Sequence, residues 1–244
     1  MTIIDTAVRY AHVLAGFIGL AAFWIPVFAR KGAANHVRFG RIFVWSAYVV
    51  LAAAATALAL RLGRLARQEI GPADEPALYA FMLFLGYLTL VTFATIRHGM
   101  QVLRHKTDSG AIGTAFNVGL AWASIAASTG LILYALILKP PVMILLLALS
   151  PIGFGVGFGN LRYMKNPPQS RRAWMYEHLG AMLGGGIAFH TAFAVFGASR
   201  LFDLGLTGWV AVIPWVLPAA IGIPATVIWT RHYRRKFGEL GSPA

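Results

Sequence analysis

Seven long stretches of this chain contain no aspartate, glutamate, lysine or arginine, and this spacing of charges constrains the fold more than any other feature. A helix of roughly 20 apolar residues crosses a hydrocarbon core about 30 Å thick. Because backbone polar groups in lipid must bond within their own segment, each stretch is expected to form a helix. The predicted spans lie near 10–29, 42–60, 76–96, 112–138, 140–161, 175–199 and 207–230.

The composition supports the same fold class. The 244 residues are 58% hydrophobic and 12% charged, with a mean hydropathy of +0.68, whereas soluble domains are roughly 45–50% apolar and about 25% charged. We therefore predict an all-α fold, a polytopic membrane helical bundle of about seven transmembrane helices, as a single domain over 1–244. The first apolar run is too long for the core of a signal peptide, which predicts a permanent span.

Lysines and arginines lie mainly on one predicted side of the membrane, which carries 15 of the 21. Because basic loops stay in the cytoplasm, we expect the N-terminus outside, the C-terminus inside and a multi-pass protein of the bacterial inner membrane. On the outer side, Arg61, Arg64 and Arg67 predict an interfacial helix. The inner group consists of Arg30, Lys31, Arg38, Arg41, Arg97, Arg104, Lys106, Arg162, Lys165, Arg171, Arg172, Arg231, Arg234, Arg235 and Lys236.

The net charge of +13 bears on the partners of this protein. In a soluble protein it would suggest nucleic acid, but here the basic residues fall between apolar runs rather than along one exposed face. We therefore expect no nucleic acid. The predicted partners are the lipid bilayer and anionic lipid headgroups at the basic cytoplasmic face, and a redox partner or a homo-oligomer is left open.

The chain has no cysteine, so disulfides, thiolate ligands and covalent c-type haem are excluded. Any cofactor must therefore use histidine, carboxylate, methionine or backbone groups. Ionisable side chains inside a bilayer are costly, which makes each of them a candidate functional residue. This chain has few, and most of them are histidines.

One candidate site lies at the inner ends of the predicted spans. His98 and His178 are placed roughly 18 and 13 Å inward of their span centres, and His36 and Glu177 lie on the same side. Three imidazoles and a carboxylate form a ligand set for Fe, Zn or Mn, and two imidazoles are enough for haem b. The alternative for His98 is plain contact with lipid headgroups.

A second candidate site is an outer pair, His12 and His190, whose predicted depths differ by roughly 6 Å. The two rings can share a ligand only if their helices tilt, and the alternative is a hydrogen bond to a neighbouring helix. His178 and His190 are twelve residues apart, which gives about 18 Å of rise and roughly 120° of rotation. That rotation weakens a two-haem arrangement on one helix. The predicted cofactor-binding residues are His12, His190, His98 and His178.

Glycine pairs and prolines predict where helices pack closely or bend. In the fifth span Gly153 with Gly157 and Gly155 with Gly159 form GxxxG pairs, as does Gly180 with Gly184 in the sixth. Close packing is the favoured interpretation, and space for a flat macrocycle beside residues 184–186 is the alternative. Bends are predicted at Pro151, Pro214, Pro218 and Pro224.

Two segments resemble a bacterial family of multi-span membrane proteins of unknown function. The first runs from Arg30-Lys31-Gly32 through His36 to Gly40-Arg41, and the second from Trp174 through His178, Met182 and Gly184 to Thr191-Ala192-Phe193. The resemblance implies a bacterial inner-membrane protein and supplies no activity. It emphasises His36, Arg41, Trp174 and His178.

The leading functional hypothesis is a histidine-ligated metal or haem centre that serves redox, electron transfer or metal handling, and a membrane oxidoreductase is one form of it. The first alternative is a small-solute transporter or channel without cofactor. The second is a non-catalytic membrane assembly or lipid-binding protein. No catalytic residue is assigned, since the chain has no GxSxG or HExxH motif and no thiol nucleophile.

Overall fold

A computed structural model of the chain describes residues 3–198, 201–202 and 208–240. Within these ranges the structure is all helical and contains no strand. Seven helical segments are long and apolar enough to cross a membrane, which confirms the predicted fold class. The orientation of the termini stays a prediction. Residues 199 and 207, the predicted end of the sixth span and start of the seventh, lie outside the described ranges.

The described residues contain eight α-helices and three shorter helical turns. The 3₁₀ turns lie at Gly110–Ile112 and Gly208–Val212, and a π-helical turn at Phe193–Ala198 continues the seventh α-helix. The α-helices are α1 (Ile3–Phe28), α2 (Ala34–Arg67), α3 (Pro76–Arg104), α4 (Ala115–Leu138), α5 (Met143–Leu149), α6 (Pro151–Lys165), α7 (Ala173–Ala192) and α8 (Ile213–Lys236).

The chain divides into two compact units. Unit 1 comprises Met1–Ala15, Tyr48–Ala94 and Thr107–Asn166, and unit 2 comprises Gly16–Ala47, Thr95–Lys106 and Pro167–Ala244. Helices α1, α2 and α3 therefore each contribute residues to both units. The helices α4, α5 and α6 belong to unit 1, whereas α7 and α8 belong to unit 2.

Small residues let α4 and α6 pack closely in unit 1. A Cβ added to Gly153 would lie 2.3 Å from the Ser128 hydroxyl and 2.7 Å from the Ser124 carbonyl, and one added to Gly157 would lie 2.6 Å from the Ala121 carbonyl. No side chain fits between the two backbones, so this glycine pair packs as predicted. The other pair, Gly155 and Gly159, meets nothing within 4 Å.

The helical hydrogen bonds of the fifth span are interrupted between α5 and α6, because Pro151 has no N–H, while Ser150 keeps helical backbone angles. The Tyr87 hydroxyl donates to the carbonyls of Leu149 (3.0 Å) and Ser150 (2.8 Å) and accepts from the Gly153 N–H (2.7 Å). Ser128 also donates to the Ser150 carbonyl, at 2.8 Å. These bonds satisfy backbone groups at the break, which is necessary away from water.

Aromatic rings form the core of unit 2. Phe23, Phe43 and Phe189 are all buried, with ring centroids 5.3 Å apart for the first pair and 5.4 Å for the second pair. A Cβ on Gly185 would lie 2.9 Å from Ile96, and one on Gly186 only 2.1 Å from the Phe23 ring. These two glycines therefore leave room for side chains from neighbouring helices, Ile96 of α3 and Phe23 of α1.

That packing corrects one prediction about the sixth span. The predicted pair does not pack tightly, since a Cβ on Gly180 would meet nothing within 4 Å and one on Gly184 would make ordinary contact with Thr95 at 3.6 Å. Beside residues 185 and 186 the favoured interpretation was close packing, and Ile96 and Phe23 occupy the space that the alternative left for a macrocycle. Sequence spacing identified a glycine-rich face but not which glycines on it are in contact.

The basic group predicted to form an interfacial helix instead ends α2, which continues unbroken to Arg67. Arg64 pairs there with Asp5 at 2.6 Å. At about 1.5 Å per residue, the 34 residues of α2 extend over about 51 Å, well beyond a hydrocarbon core of about 30 Å. Pro218 and Pro224 lie inside α8, and Pro214 is in its first turn.

Candidate functional site

A buried imidazole and a carboxylate join α3 to α7 in unit 2. His98 Nε2 lies 2.8 Å from Glu177 Oε1, with 5% of the histidine side chain exposed and 32% of the glutamate side chain. The pair brings together two of the four residues of the predicted inner metal set. A carboxylate that bonds to one nitrogen of an imidazole fixes the orientation of the ring.

The next residue on each helix makes the neighbouring contact. His178 Nδ1 lies 3.0 Å from the carbonyl oxygen of Gly99. A Cβ on Gly99 would be 2.7 Å from both Ala181 and Met182, so only glycine permits this approach of the two helices. His98-Gly99 and Glu177-His178 thus bond to each other twice across the α3–α7 contact.

His36 and Lys31 lie at the C-terminal end of α1, also in unit 2. His36 Nδ1 lies 3.0 Å from the Pro26 carbonyl, and the Lys31 ammonium donates to the carbonyls of Pro26 (2.8 Å) and Val27 (2.7 Å). These carbonyls belong to the last turn of the helix, where intrahelical partners run out. Burial lowers the pKa of the Lys31 ammonium from its ordinary value.

His190 has an aromatic environment. Its Nδ1 lies 2.7 Å from the Gly186 carbonyl of its own helix, and its ring packs edge-on against Phe23 and Trp24 of α1, with centroids 5.3 Å away in both cases. His190 thus contacts α1, whereas His178 bonds to α3. The two rings lie against different neighbours, as the rotation of roughly 120° between them predicts.

His12 is the one histidine of unit 1, and its Nδ1 lies 3.1 Å from the Val50 carbonyl on α2. This contact is the hydrogen bond to a neighbouring helix that was the alternative to ligand binding. The two interpretations are compatible, because only one ring nitrogen is used. The shared outer site with His190 stays a prediction.

Four histidines therefore share one arrangement, in which Nδ1 lies against a backbone carbonyl. An Nδ1–H that donates to a carbonyl leaves Nε2 with its lone pair, which is the tautomer that ligates metals. Within the described ranges, none of these four Nε2 atoms has a hydrogen-bond partner. The four are His12, His36, His178 and His190.

The predicted four-ligand set is not assembled as such. In the part of the chain that the structure describes, no group of three histidine, aspartate or glutamate side chains is placed to hold a metal ion. The reason lies in the partners, because His98 directs its Nε2 to Glu177, while His36 and His178 are oriented by carbonyls on different helices. His178 does lie within electrostatic range of His36 and of the charges on Lys31 and Lys106.

Sequence reasoning missed a cluster at the C-terminal end of the described chain. Glu239 is 9% exposed and accepts from Arg172 Nη1 (3.1 Å) and from the Tyr176 hydroxyl (2.7 Å). Its backbone N–H donates to the Arg234 carbonyl, at 2.8 Å. A single acidic residue after a basic helix end was the available signal. The cluster attaches the end of α8 to the start of α7.

Sequence reasoning also missed the polar contacts of Tyr87 at the α5–α6 break. Pro151 indicated where helical hydrogen bonds would be lost. Nothing in the sequence of α3 identified Tyr87 as the side chain that bonds to the backbone there. Trp174, one of the residues that the family resemblance emphasises, lies under the Lys106 ammonium, 4.5 Å from nitrogen to ring centroid.

Comparison with protein-family models, curated proteins and solved structures finds no match for this chain. The arrangement of the side chains described above is therefore what a functional proposal rests on.

Proposed function

We propose that the chain is a redox protein of the bacterial inner membrane that binds haem b in unit 2, where the imidazoles of His36 and His178 would hold the iron. The observation that carries the proposal is that both rings use Nδ1 for a backbone carbonyl. Each has Nδ1 3.0 Å from a carbonyl, and each keeps Nε2 available for iron. The two rings also lie within electrostatic range of each other.

Haem fits this donor set better than a bare ion does. A structural zinc site takes four protein ligands and a catalytic one three, and no such group occurs among the described residues. The porphyrin supplies four nitrogens to iron, so two imidazoles complete the coordination. When bound, the haem iron would accept and release one electron, and the protein would orient the two rings through the Pro26 and Gly99 carbonyls.

The test is an absorption spectrum of the purified full-length protein, oxidised and then reduced with dithionite. We expect a Soret band with a reduced α-band, and their loss in His36→Ala and in His178→Ala. His105→Ala and His232→Ala are the matched controls, because both residues lie in basic segments near helix ends, and they should keep the spectrum.

Other results would redirect or overturn the proposal. A second haem equivalent lost in His12→Ala or His190→Ala would indicate the outer site. If the purified protein holds a stoichiometric amount of Fe, Zn or Mn and shows no Soret band, the proposal changes from haem to a metal site. Its ligands would be His36, His98, His178 and Glu177. Neither haem nor metal in protein purified from haem-supplemented cells would rule out a cofactor at these histidines.

A second candidate function is a carrier for a small solute, and the interrupted fifth span favours it. Broken helices line the central sites of many transporters, where unpaired backbone groups contact the substrate. Here the Tyr87 hydroxyl occupies the break between α5 and α6. Solute uptake by proteoliposomes that Tyr87→Phe changes and His178→Ala does not would support a carrier over a haem protein.

A further inference from the structure

The chain reverses direction directly after α8, in residues 237–239, which we call the C-terminal turn. Gly238 has a φ of 68°, in the left-handed region that glycine adopts readily. Its N–H donates to the Arg235 carbonyl at 3.1 Å, and the Glu239 N–H donates to the Arg234 carbonyl at 2.8 Å. These two bonds form a Schellman motif, which satisfies carbonyls at the helix end. The Glu239 side chain beyond it contacts α7.

Both carboxylate oxygens of Glu239 bond to side chains of unit 2 at the start of α7. Oε1 accepts from Arg172 Nη1 at 3.1 Å, and Oε2 accepts from the Tyr176 hydroxyl at 2.7 Å. Arg172 Cζ also lies 4.2 Å from the ring centroid of Phe237. Arg172 therefore contacts two residues of the C-terminal turn, and the carboxylate between the two donors is 9% exposed as a residue.

A second arginine belongs to the same cluster. Arg234 Cζ lies 5.0 Å from the ring centroid of Tyr176, the residue that donates to Glu239. Its Nε is buried and has no hydrogen-bond partner among the described residues. A buried donor without an acceptor is costly. With Glu239 in place, the cluster thus holds two guanidinium groups for one carboxylate, and one buried donor stays unsatisfied.

A phosphate group matches these three side chains better than a carboxylate does. A carboxylate has two oxygens, and those of Glu239 are used by Arg172 and Tyr176. A phosphate with three free oxygens offers one more acceptor and a second negative charge, which suits two arginines. Guanidinium groups bind phosphate oxygens with charge-assisted hydrogen bonds, often two at a time.

We propose that Arg172, Tyr176 and Arg234 form a binding site for a phosphate with at least three free oxygens, and that Glu239 fills this site until the phosphate displaces the C-terminal turn. The phosphate is that of a phosphomonoester lipid headgroup or free inorganic phosphate, which share this chemistry. Displacement breaks the bonds of Glu239 and leaves the body of α8 intact. None of the three side chains is a proposed haem ligand, so phosphate binding does not require haem.

The first experiment titrates inorganic phosphate into the full-length protein in detergent, with sodium chloride at matched ionic strength as the reference. Glu239→Ala removes the internal occupant of the site. We expect it to bind phosphate about tenfold more tightly than the wild type, because the ligand no longer has to break two hydrogen bonds to a charged side chain. Isothermal titration calorimetry measures both affinities.

Control variants in the Glu239→Ala background separate the site from general basic charge. Adding Arg172→Gln should weaken phosphate binding about tenfold, because a charge-assisted bond is lost. Adding Arg171→Gln is the matched control and should leave binding unchanged, since this neighbouring arginine is exposed. If the Arg172→Gln protein fails to fold, Tyr176→Phe carries the test, because it removes only the hydroxyl.

The second experiment follows the C-terminal turn in the wild type by hydrogen exchange of peptides that contain residues 237–240. Saturating phosphate should raise exchange there, because displacement opens the bond between the Glu239 N–H and the Arg234 carbonyl. A purely structural ion pair would not respond to phosphate. Unchanged exchange therefore overturns the displacement, and equal phosphate binding by Glu239→Ala with and without Arg172→Gln overturns the site.

Lipid binding identifies the source of the phosphate. Native mass spectrometry compares retention of phosphatidic acid, whose phosphate has three free oxygens, with phosphatidylglycerol, whose phosphate has two. Retention of phosphatidic acid that depends on Arg172 supports a lipid headgroup, and binding of inorganic phosphate alone supports a free anion. Equal retention of both lipids in all variants, without phosphate binding, overturns the site. Absence of haem from every variant affects the proposed function only.

Discussion

The two units of this protein differ in where they place charge and histidine. Unit 2 holds six of the seven histidines, with 14 lysines and arginines against three acidic residues, a net charge of +11. Unit 1 holds one histidine, with seven lysines and arginines against five acidic residues, a net charge of +2. Most of the side chains able to bind a cofactor or an anion therefore belong to unit 2.

The polar groups in the two units are also used differently. In unit 1, Tyr87, Ser128 and Ser150 bond to backbone at a helix break, and the bonds described close within the protein. In unit 2, His36 and His178 use one ring nitrogen for the protein and present the other. Under the proposed function, the polar side chains at the α5–α6 junction only satisfy backbone groups, whereas His36 and His178 would also bind a ligand. The partner of each atom distinguishes the two roles.

The largest expected effect comes from filling the α4–α6 contact of unit 1. Gly153→Ala should lower the free energy of unfolding by about 3 kcal/mol, because the new Cβ would overlap the Ser128 hydroxyl and the Ser124 carbonyl. Denaturation in mixed micelles followed by circular dichroism would measure it. Gly155→Ala, on the open face of the same helix, is the control and should change stability little.

The next effect tests whether Tyr87 is structural. Tyr87→Phe removes the hydroxyl that bonds to the Leu149 carbonyl and the Gly153 N–H, whereas the Ser150 carbonyl keeps its bond from Ser128; the loss should cost about 2 kcal/mol. Tyr134→Phe removes an exposed hydroxyl 3.5 Å from a carbonyl and should be nearly neutral. Folded Tyr87→Phe protein should keep the haem content of the wild type. Loss of haem from it would break the contrast between the units.

A smaller effect is expected at the end of α8 in unit 2. Glu239→Gln replaces a carboxylate that accepts from Arg172 and Tyr176, and it should cost about 1.5 kcal/mol. Hydrogen exchange should rise in the last turns of α8, and mass spectrometry of peptides would detect it. Glu75→Gln, at an exposed position in unit 1, provides the comparison. Unchanged exchange in Glu239→Gln would mean that Phe237 and Gly238 hold the segment without the carboxylate.

The smallest effect concerns the ion pair of unit 1 at the end of α2. Asp5→Asn should lower stability by about 0.5 kcal/mol, because Arg64 is part-exposed and water competes for the pair. The difference from the wild type should shrink as salt is raised, since salt screens such pairs. Thermal unfolding at two salt concentrations tests both statements. An effect above about 2 kcal/mol would assign this pair an interior role.

The number and order of spans could be predicted from the sequence because the absence of charge over about 20 residues is a direct requirement of lipid. Helix ends were less predictable. The arginines that end α2 remain helical, because long side chains can carry their charge to the interface while the backbone continues. Pro151 was predicted to bend the fifth span. A proline alone does not reveal which side chain bonds to the backbone groups that it leaves without helical partners, and here that side chain is Tyr87.

The candidate site was predictable only as a set of residues. Depth along each helix correctly brought His98 and Glu177 together, because rise per residue is fixed. The direction of each ring depended on which carbonyl lay nearby, and the carbonyls of Pro26 and Gly99 come from other helices.

The length of α2 has a consequence for the membrane that suits this protein. Between Arg41 and Arg61 its 19 residues are uncharged, which at about 1.5 Å each corresponds to about 29 Å of hydrocarbon. Tilting would accommodate a thinner bilayer and local thinning would accommodate a thicker one, so this stretch should favour a bilayer with a hydrocarbon core of about that thickness.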